Sequence, residues 1–138
     1  MSKHYTKSWL FRCADDRYGK NLELRNGLKA ILNDADVKVA FGPMTPFGNS
    51  LGFTNQDFCN YLPSEIKTAR HLGIEEIIFI DHLDCGAFSL TYGKLTAEEE
   101  EKKHLESIEV ARRFFKQNAP DMKFVAYLQD FDNFKKIC

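Results

Sequence analysis

Long hydrophobic runs are missing from this 138-residue chain, and none approaches the ~20 residues that a membrane-spanning helix needs. The opening stretch, MSKHYTKSW, also lacks the apolar centre of a secretory signal, so the expected location is cytoplasmic. Nor is there an excess of charge of one sign. Nineteen basic residues against twenty acidic ones leave a net charge of -1, which gives no electrostatic case for binding nucleic acid or an anionic membrane. Cysteine is scarce, at four residues, and no Cys-x-x-Cys pair occurs. In a reducing compartment this argues against a disulfide framework and a thiol-redox motif, and leaves metal binding or catalysis as uses for the thiols. No repeat, linker or low-complexity segment divides the sequence. One domain, residues 1–138, is expected, large enough to bury roughly 68% of its unfolded surface without a staple.

What is present is aromatic and periodic. Twelve Phe and five Tyr suit a dense core or a covered interface. Ser8 to Ala14 reads as strand one, and Asn21 to Asn33 places Leu22, Leu24, Leu28, Ile31 and Leu32 at helical spacing. Val37 to Phe41 reads as strand two, stopped by Gly42-Pro43, and Met44 to Thr54 reads as a loop. Thr54 is the expected cap of a helix reaching Leu72, with Pro63 a point where it breaks or restarts and Gly73 its end. Glu76 to Asp81 is a continuous apolar strand, suited to a sheet covered on both faces. Leu83 to Leu95 reads as a loop. Thr96 and Glu99 then form a capping box for a long helix, with Leu105, Ile108, Ala111 and Phe115 as its apolar stripe. Ala119-Pro120 stops that helix, Met122 to Gln129 is strand four, and the tail from Phe131 to Cys138 allows a short extra strand. The alternation predicts an α/β fold. Its mainly parallel central sheet of four strands, in order 2-1-3-4 with a fifth strand at the edge, would be flanked by helices.

In such sheets, reactive groups collect at the C-terminal ends of the strands, near the switch in strand order. Strand one runs into Cys13-Ala14-Asp15-Asp16-Arg17, and strand three into His82-Leu83-Asp84-Cys85-Gly86. If these strands are neighbours, Cys13, His82 and Cys85 converge. Two thiolates and an imidazole suit zinc, and three protein ligands leave a fourth position for chemistry. Gly86 is the expected site of the tight turn that brings Cys85 back towards His82.

The segment "CADDR" fits the Cys-x-Asp-x-Arg motif of the β-class carbonic anhydrases, and "HLDCGA" fits their His-x-x-Cys-Gly motif. Both occur in the right order and on the right elements, so the chain resembles that family from about Trp9 to Gln129. The resemblance implies zinc on Cys13, His82 and Cys85, and reversible hydration of carbon dioxide to bicarbonate by a zinc-bound hydroxide. It implies a dyad in which Arg17 fixes Asp15 and Asp15 orients the hydroxide; the plain alternative is a surface ion pair. In part of the family, the carboxylate matching Asp15 closes the site by binding zinc. A homodimer or higher homo-oligomer is implied as well, although only about a dozen residues precede Cys13, where the family usually carries helices that wrap the partner subunit. The chain departs from the family pattern in having Asp81 for the usual Gly, Asp16 for a frequent Ser, and Val39-Ala40-Phe41-Gly42 where Arg-Asn-Ala-Gly is common.

Two other functions remain open from sequence: a hydrolase of carbon disulfide or carbonyl sulfide on the same scaffold, and a non-catalytic zinc-binding domain. Asp81 and Asp84 are candidates to cap the loop or support a ligand from behind. His104 reads by default as solvated, with a proton shuttle or a replacement ligand as the functional alternatives. Glu98 to Glu101 reads as a solvated, dipole-matched helix start. Cys59 reads as a small core residue and Cys138 as a frayed terminus. Phe41, Phe47 and Phe53 either line an apolar pocket or pack the core.

Overall fold

A computed structural model describes residues 6–13, 38–41, 48–130 and 133–138. Strand β1 (Thr6–Arg12) lies between β2 (Lys38–Phe41) and β3 (Glu76–His82), and β4 (Lys123–Gln129) follows β3. These four run parallel. A three-residue strand β5 (Phe134–Lys136) pairs antiparallel with β4, so the sheet order is β2-β1-β3-β4-β5. The α/β class and the mainly parallel sheet are therefore those expected. The predicted helix from Asn21 to Asn33 lies outside the described residues.

Each turn is set by local chemistry. The predicted loop before the second helical stretch holds a 3-10 turn, Asn49–Thr54. Helix α1 (Gln56–His71) is capped by Asn55, whose carboxamide oxygen accepts from the N–H groups of Asp57 and Phe58. Thr54, the expected cap, instead donates to the Leu51 carbonyl at 2.7 Å. Pro63 lies inside α1 without ending it; it faces solvent, while Leu62 and Ile66 are buried. At the far end, Gly73 takes φ 85°, donates to Arg70 O, and lets Ile74 N–H reach back to Ala69 O. That pair of bonds is a Schellman closure, which requires the left-handed residue that Gly supplies at least cost.

The region from Leu83 to Leu95, predicted as a loop, contains a short helix, α2 (Gly86–Tyr92). Helix α3 (Ala97–Asn118) starts as expected, with the Thr96 hydroxyl accepting from Glu99 N–H. Its buried face is His104, Ser107, Ile108, Ala111 and Phe115, whereas Leu105 is 39% exposed. The predicted stripe is thus one residue out at its N-terminal end.

Strand β3 is buried on both faces of the sheet, and its side chains alternate between them. Ile77 and Phe79 pack with Phe11, Phe53 and Phe115 in the main core, while Ile78 and Ile80 join Leu10 in a second cluster. Phe53 stands 5.3 Å from Phe58, 5.4 Å from Phe115 and 5.6 Å from Phe79, ring centre to ring centre, so its role is core packing. Phe47 and the Phe41 side chain lie outside the described residues. No helix among the described residues is long and apolar enough to cross a membrane.

Candidate metal centre

The parallel pairing of β1 with β3 puts Arg12 opposite Ile80, so Cys13 leaves the sheet beside His82. One turn later the chain reaches Cys85. The ligand-capable atoms of Cys13, His82 and Cys85 lie within 4.8 Å of one another, and all three residues are buried. The turn that makes this possible is not at Gly86, which opens α2 with no unusual φ. Asp84 makes it, in the left-handed region at φ 56°, a conformation that Asp tolerates better than most residues.

The donor set fits a divalent cation. His82 Nδ1 is 2.8 Å from the Leu83 carbonyl, which can only accept, so Nδ1 carries the proton and the neutral ring has its lone pair on Nε2. The Gly48 N–H donates to Cys13 Sγ at 3.1 Å, a contact that favours a thiolate there. Cys85 is the opposite case without a cation: its hydrogen bond with Cys13 and its burial push the thiol's pKa up. A bound divalent metal reverses that preference, because its charge deprotonates a coordinating thiol. Zinc–sulfur and zinc–nitrogen bonds of about 2.3 and 2.0 Å need ligand atoms within roughly 4 Å of each other, so a modest contraction completes the site. Phe88 forms a buried cluster with Cys13 and Cys85, with Leu51 and Ala87 at the margin, which makes the surroundings apolar. A cavity of about 220 Å³ opens beside Cys85, lined by Asp84, Ser89, Lys94 and Glu100 among others.

Gly48 is required in this arrangement. Its φ is 82°, and a Cβ there would meet Ala87 Cβ and Leu51 Cδ1 at 3.0 Å.

The carboxylates around the site are more committed than the sequence suggested. Asp81 has no exposed surface; its Oδ1 accepts from Asn49 Nδ2 at 3.0 Å and from the Ser50 amide at 3.1 Å. Its Oδ2 accepts from the Ser50 hydroxyl and from His104 Nδ1, the latter at 2.7 Å. Glu100, expected to be solvated, accepts from the Asp84 and Cys85 amides, both at 3.1 Å, and from His104 Nε2 at 2.9 Å. His104 itself is 1% exposed, not solvated, because the buried face of α3 passes through it. Asn49 and Ser50 carried no signal in the sequence beyond lying in a polar turn. For Glu100 and His104 the i, i+4 spacing was the available signal. Asp15, Asp16 and Arg17 lie outside the described residues. Cys59 is half-buried with its thiol 3.3 Å from the Phe53 carbonyl, and Cys138 is exposed with its own carbonyl accepting from Ala126 N–H.

The chain has the β-carbonic anhydrase fold over nearly its whole length, and a buried Cys-His-Cys triad is typical of that fold's metal site. Among solved structures, the carbonic anhydrase of Streptococcus mutans superimposes with a TM-score of 0.59, covering 99% of this chain and 84% of that one at 16% identity. The β-carbonic anhydrase CafA of Aspergillus fumigatus gives 0.49 at 12% identity, with 99% and 76% covered. In sequence, the chain is 32% identical over 96 residues to an uncharacterized protein of Rickettsia bellii, covering 62% of this chain and 56% of that protein. It is also 32% identical over 92 residues to an uncharacterized protein of Rickettsia conorii, covering 62% and 50%. The chain thus spans about half the length of the curated relatives it matches. No protein-family model matches it.

Proposed function

We propose that this chain holds zinc on Cys13, His82 and Cys85 and catalyses the reversible hydration of carbon dioxide to bicarbonate. The observation that carries the reading is the buried triad at adjacent strand ends of this fold. Bound zinc would acidify a water molecule and so supply a nucleophile, less readily than in a site of three histidines because two thiolates already offset its charge. The protein's own residues have separate tasks. The Leu83 carbonyl keeps the His82 ring in one tautomer and one orientation. Gly48 N–H draws charge from the Cys13 sulfur. Phe88, Leu51 and Ala87 give an uncharged substrate apolar surroundings. Asp15 accepts a hydrogen bond from the attacking water and Arg17 fixes Asp15; both roles follow from the Cys-x-Asp-x-Arg pattern.

The test is stopped-flow carbon dioxide hydration on zinc-loaded protein, with carbon disulfide as a parallel substrate and Cys85→Ala as the control. Near-stoichiometric zinc, lost in Cys85→Ala, together with carbon dioxide turnover is the expected result. Turnover of carbon disulfide alone would move the substrate to that class. Stoichiometric zinc without either activity would make the site a non-catalytic one, and full zinc retention in Cys85→Ala would overturn the ligand assignment.

A further inference from the structure

His104 sits between two carboxylates that each hold a different part of the metal centre. On one side Glu100 grips the loop of Cys85 by accepting the Asp84 and Cys85 amides. On the other, Asp81 grips Asn49 and the Ser50 backbone, next to the Gly48 amide that donates to Cys13. The Nδ1 of His104 lies 2.7 Å from Asp81 Oδ2 and its Nε2 lies 2.9 Å from Glu100 Oε2, so the ring is the link between the two grips. The ring also lies on Phe88, with centroids 3.7 Å apart and planes 31° apart, and Phe88 shares a buried cluster with Cys13 and Cys85. The three contacts therefore lead from His104 to the Cys85 loop, to the turn whose Gly48 amide faces Cys13, and to the ring clustered with the cysteines.

We propose that His104 is a positioning residue for the metal centre, a buried bridge that holds the Cys85 loop and the turn from Gly48 to Ser50 at the spacing a metal ion needs. The inference rests on the zinc reading above. A solvated or merely space-filling histidine would need neither partner. Here each nitrogen has one, Glu100 a turn earlier on α3 and Asp81 at the end of β3; Glu100 in turn holds the Asp84 and Cys85 amides, and Asp81 the Ser50 amide two residues from the Gly48 N–H that faces Cys13. Removing the ring would unlink the partly exposed Glu100 from the buried Asp81, and leave the Cys85 loop and the turn from Gly48 to Ser50 free to drift apart. The loss should appear as weaker metal binding and a less regular coordination geometry before it appears as unfolding.

The experiment compares the full chain with His104→Ala, His104→Gln and Glu100→Gln. Zinc affinity is read by chelator competition, cobalt(II) coordination by the thiolate charge-transfer and ligand-field bands, and folding by circular dichroism. His104→Ala should stay folded, bind zinc at least about tenfold more weakly, and show weakened or shifted cobalt bands, within the 10–100-fold range typical for residues that orient ligands. His104→Gln, which bridges less well, should fall between. Should His104→Ala not fold, Glu100→Gln carries the test. It keeps the size of a partly exposed side chain, turns one acceptor into a donor, and should still weaken zinc binding several-fold. Wild-type affinity and cobalt spectra in folded His104→Ala, or in Glu100→Gln, would overturn the bridge while leaving the zinc site intact. A wild-type chain that binds neither zinc nor cobalt would remove the zinc reading and this inference with it.

Discussion

Replacing Asp81 by Asn isolates the charge of one buried group. The side chain has no exposed surface, and its shape is preserved. Its four partners are Asn49 Nδ2 and the Ser50 amide on Oδ1, and the Ser50 hydroxyl and His104 Nδ1 on Oδ2. An asparagine that keeps the first pair must turn its NH2 towards the second. The Ser50 hydroxyl can rotate and accept. His104 Nδ1 then faces an NH2 where it had a carboxylate oxygen at 2.7 Å. Losing that buried hydrogen bond and leaving its partner unsatisfied should cost about 1.5–3 kcal/mol, a sizeable part of the ~5–15 kcal/mol that holds a domain folded. Urea unfolding with a chelator present keeps metal binding out of the comparison. It should show a lower midpoint at unchanged slope. Combined with His104→Ala, the loss should fall short of additive by at least about 1.5 kcal/mol, because both changes break the same pair. An Asp81→Asn protein within about 0.5 kcal/mol of wild type, or strict additivity in the double variant, would refute this account of the network.

Gly48→Ala should cost about 1–3 kcal/mol in urea unfolding, because an L-residue is strained at φ 82° and its Cβ would press on Ala87 and Leu51 at 3.0 Å. It should also weaken zinc binding by displacing the amide that donates to Cys13, which chelator competition would detect. Asp15→Asn should keep its zinc by metal analysis and lose at least about tenfold in carbon dioxide hydration, equivalent to about 1.4 kcal/mol of transition-state stabilisation; unchanged turnover would make Asp15 a bystander. Light scattering at micromolar concentration should give a homodimer or a multiple of one, and a monomer would contradict that assembly.

The strands were readable because β-branched and aromatic residues cluster in short runs between turn signals, and a buried parallel sheet needs such runs. Cys13, His82 and Cys85 were readable because thiols and imidazoles at strand ends are costly ornaments for a loop that only has to turn. Helix α3 was placed well along its length, and its predicted stripe failed only at its N-terminal position. Leu105 looked like the residue to bury, yet the helix turns His104 inward because Asp81, at the end of β3, offers a partner that no leucine could use. Helical periodicity carries no information about such a partner on another element. The turn at Asp84 was assigned to Gly86 for a similar reason: glycine permits a positive φ, but the requirement fell two residues earlier. Asn49 and Ser50 are ordinary turn residues until the fold brings them to Asp81, more than thirty positions away.

Those sequence separations also fix when the site can exist during synthesis. Cys13 leaves the ribosome before the other ligands, and the partners that define its surroundings arrive in sequence: the Gly48 amide, then His82 and Cys85, and last Glu100 and His104. At roughly 5–20 residues per second, the ~90 residues between Cys13 and His104 take roughly 5 to 20 s to appear. Through that interval Cys13 is a thiol without its finished enclosure, open to oxidation and to capture by whichever thiophilic ion is at hand. On the zinc reading, the order of the chain makes metal selection a late event. Slowing translation between β1 and α3 should increase the fraction of protein that emerges oxidised or loaded with the wrong ion.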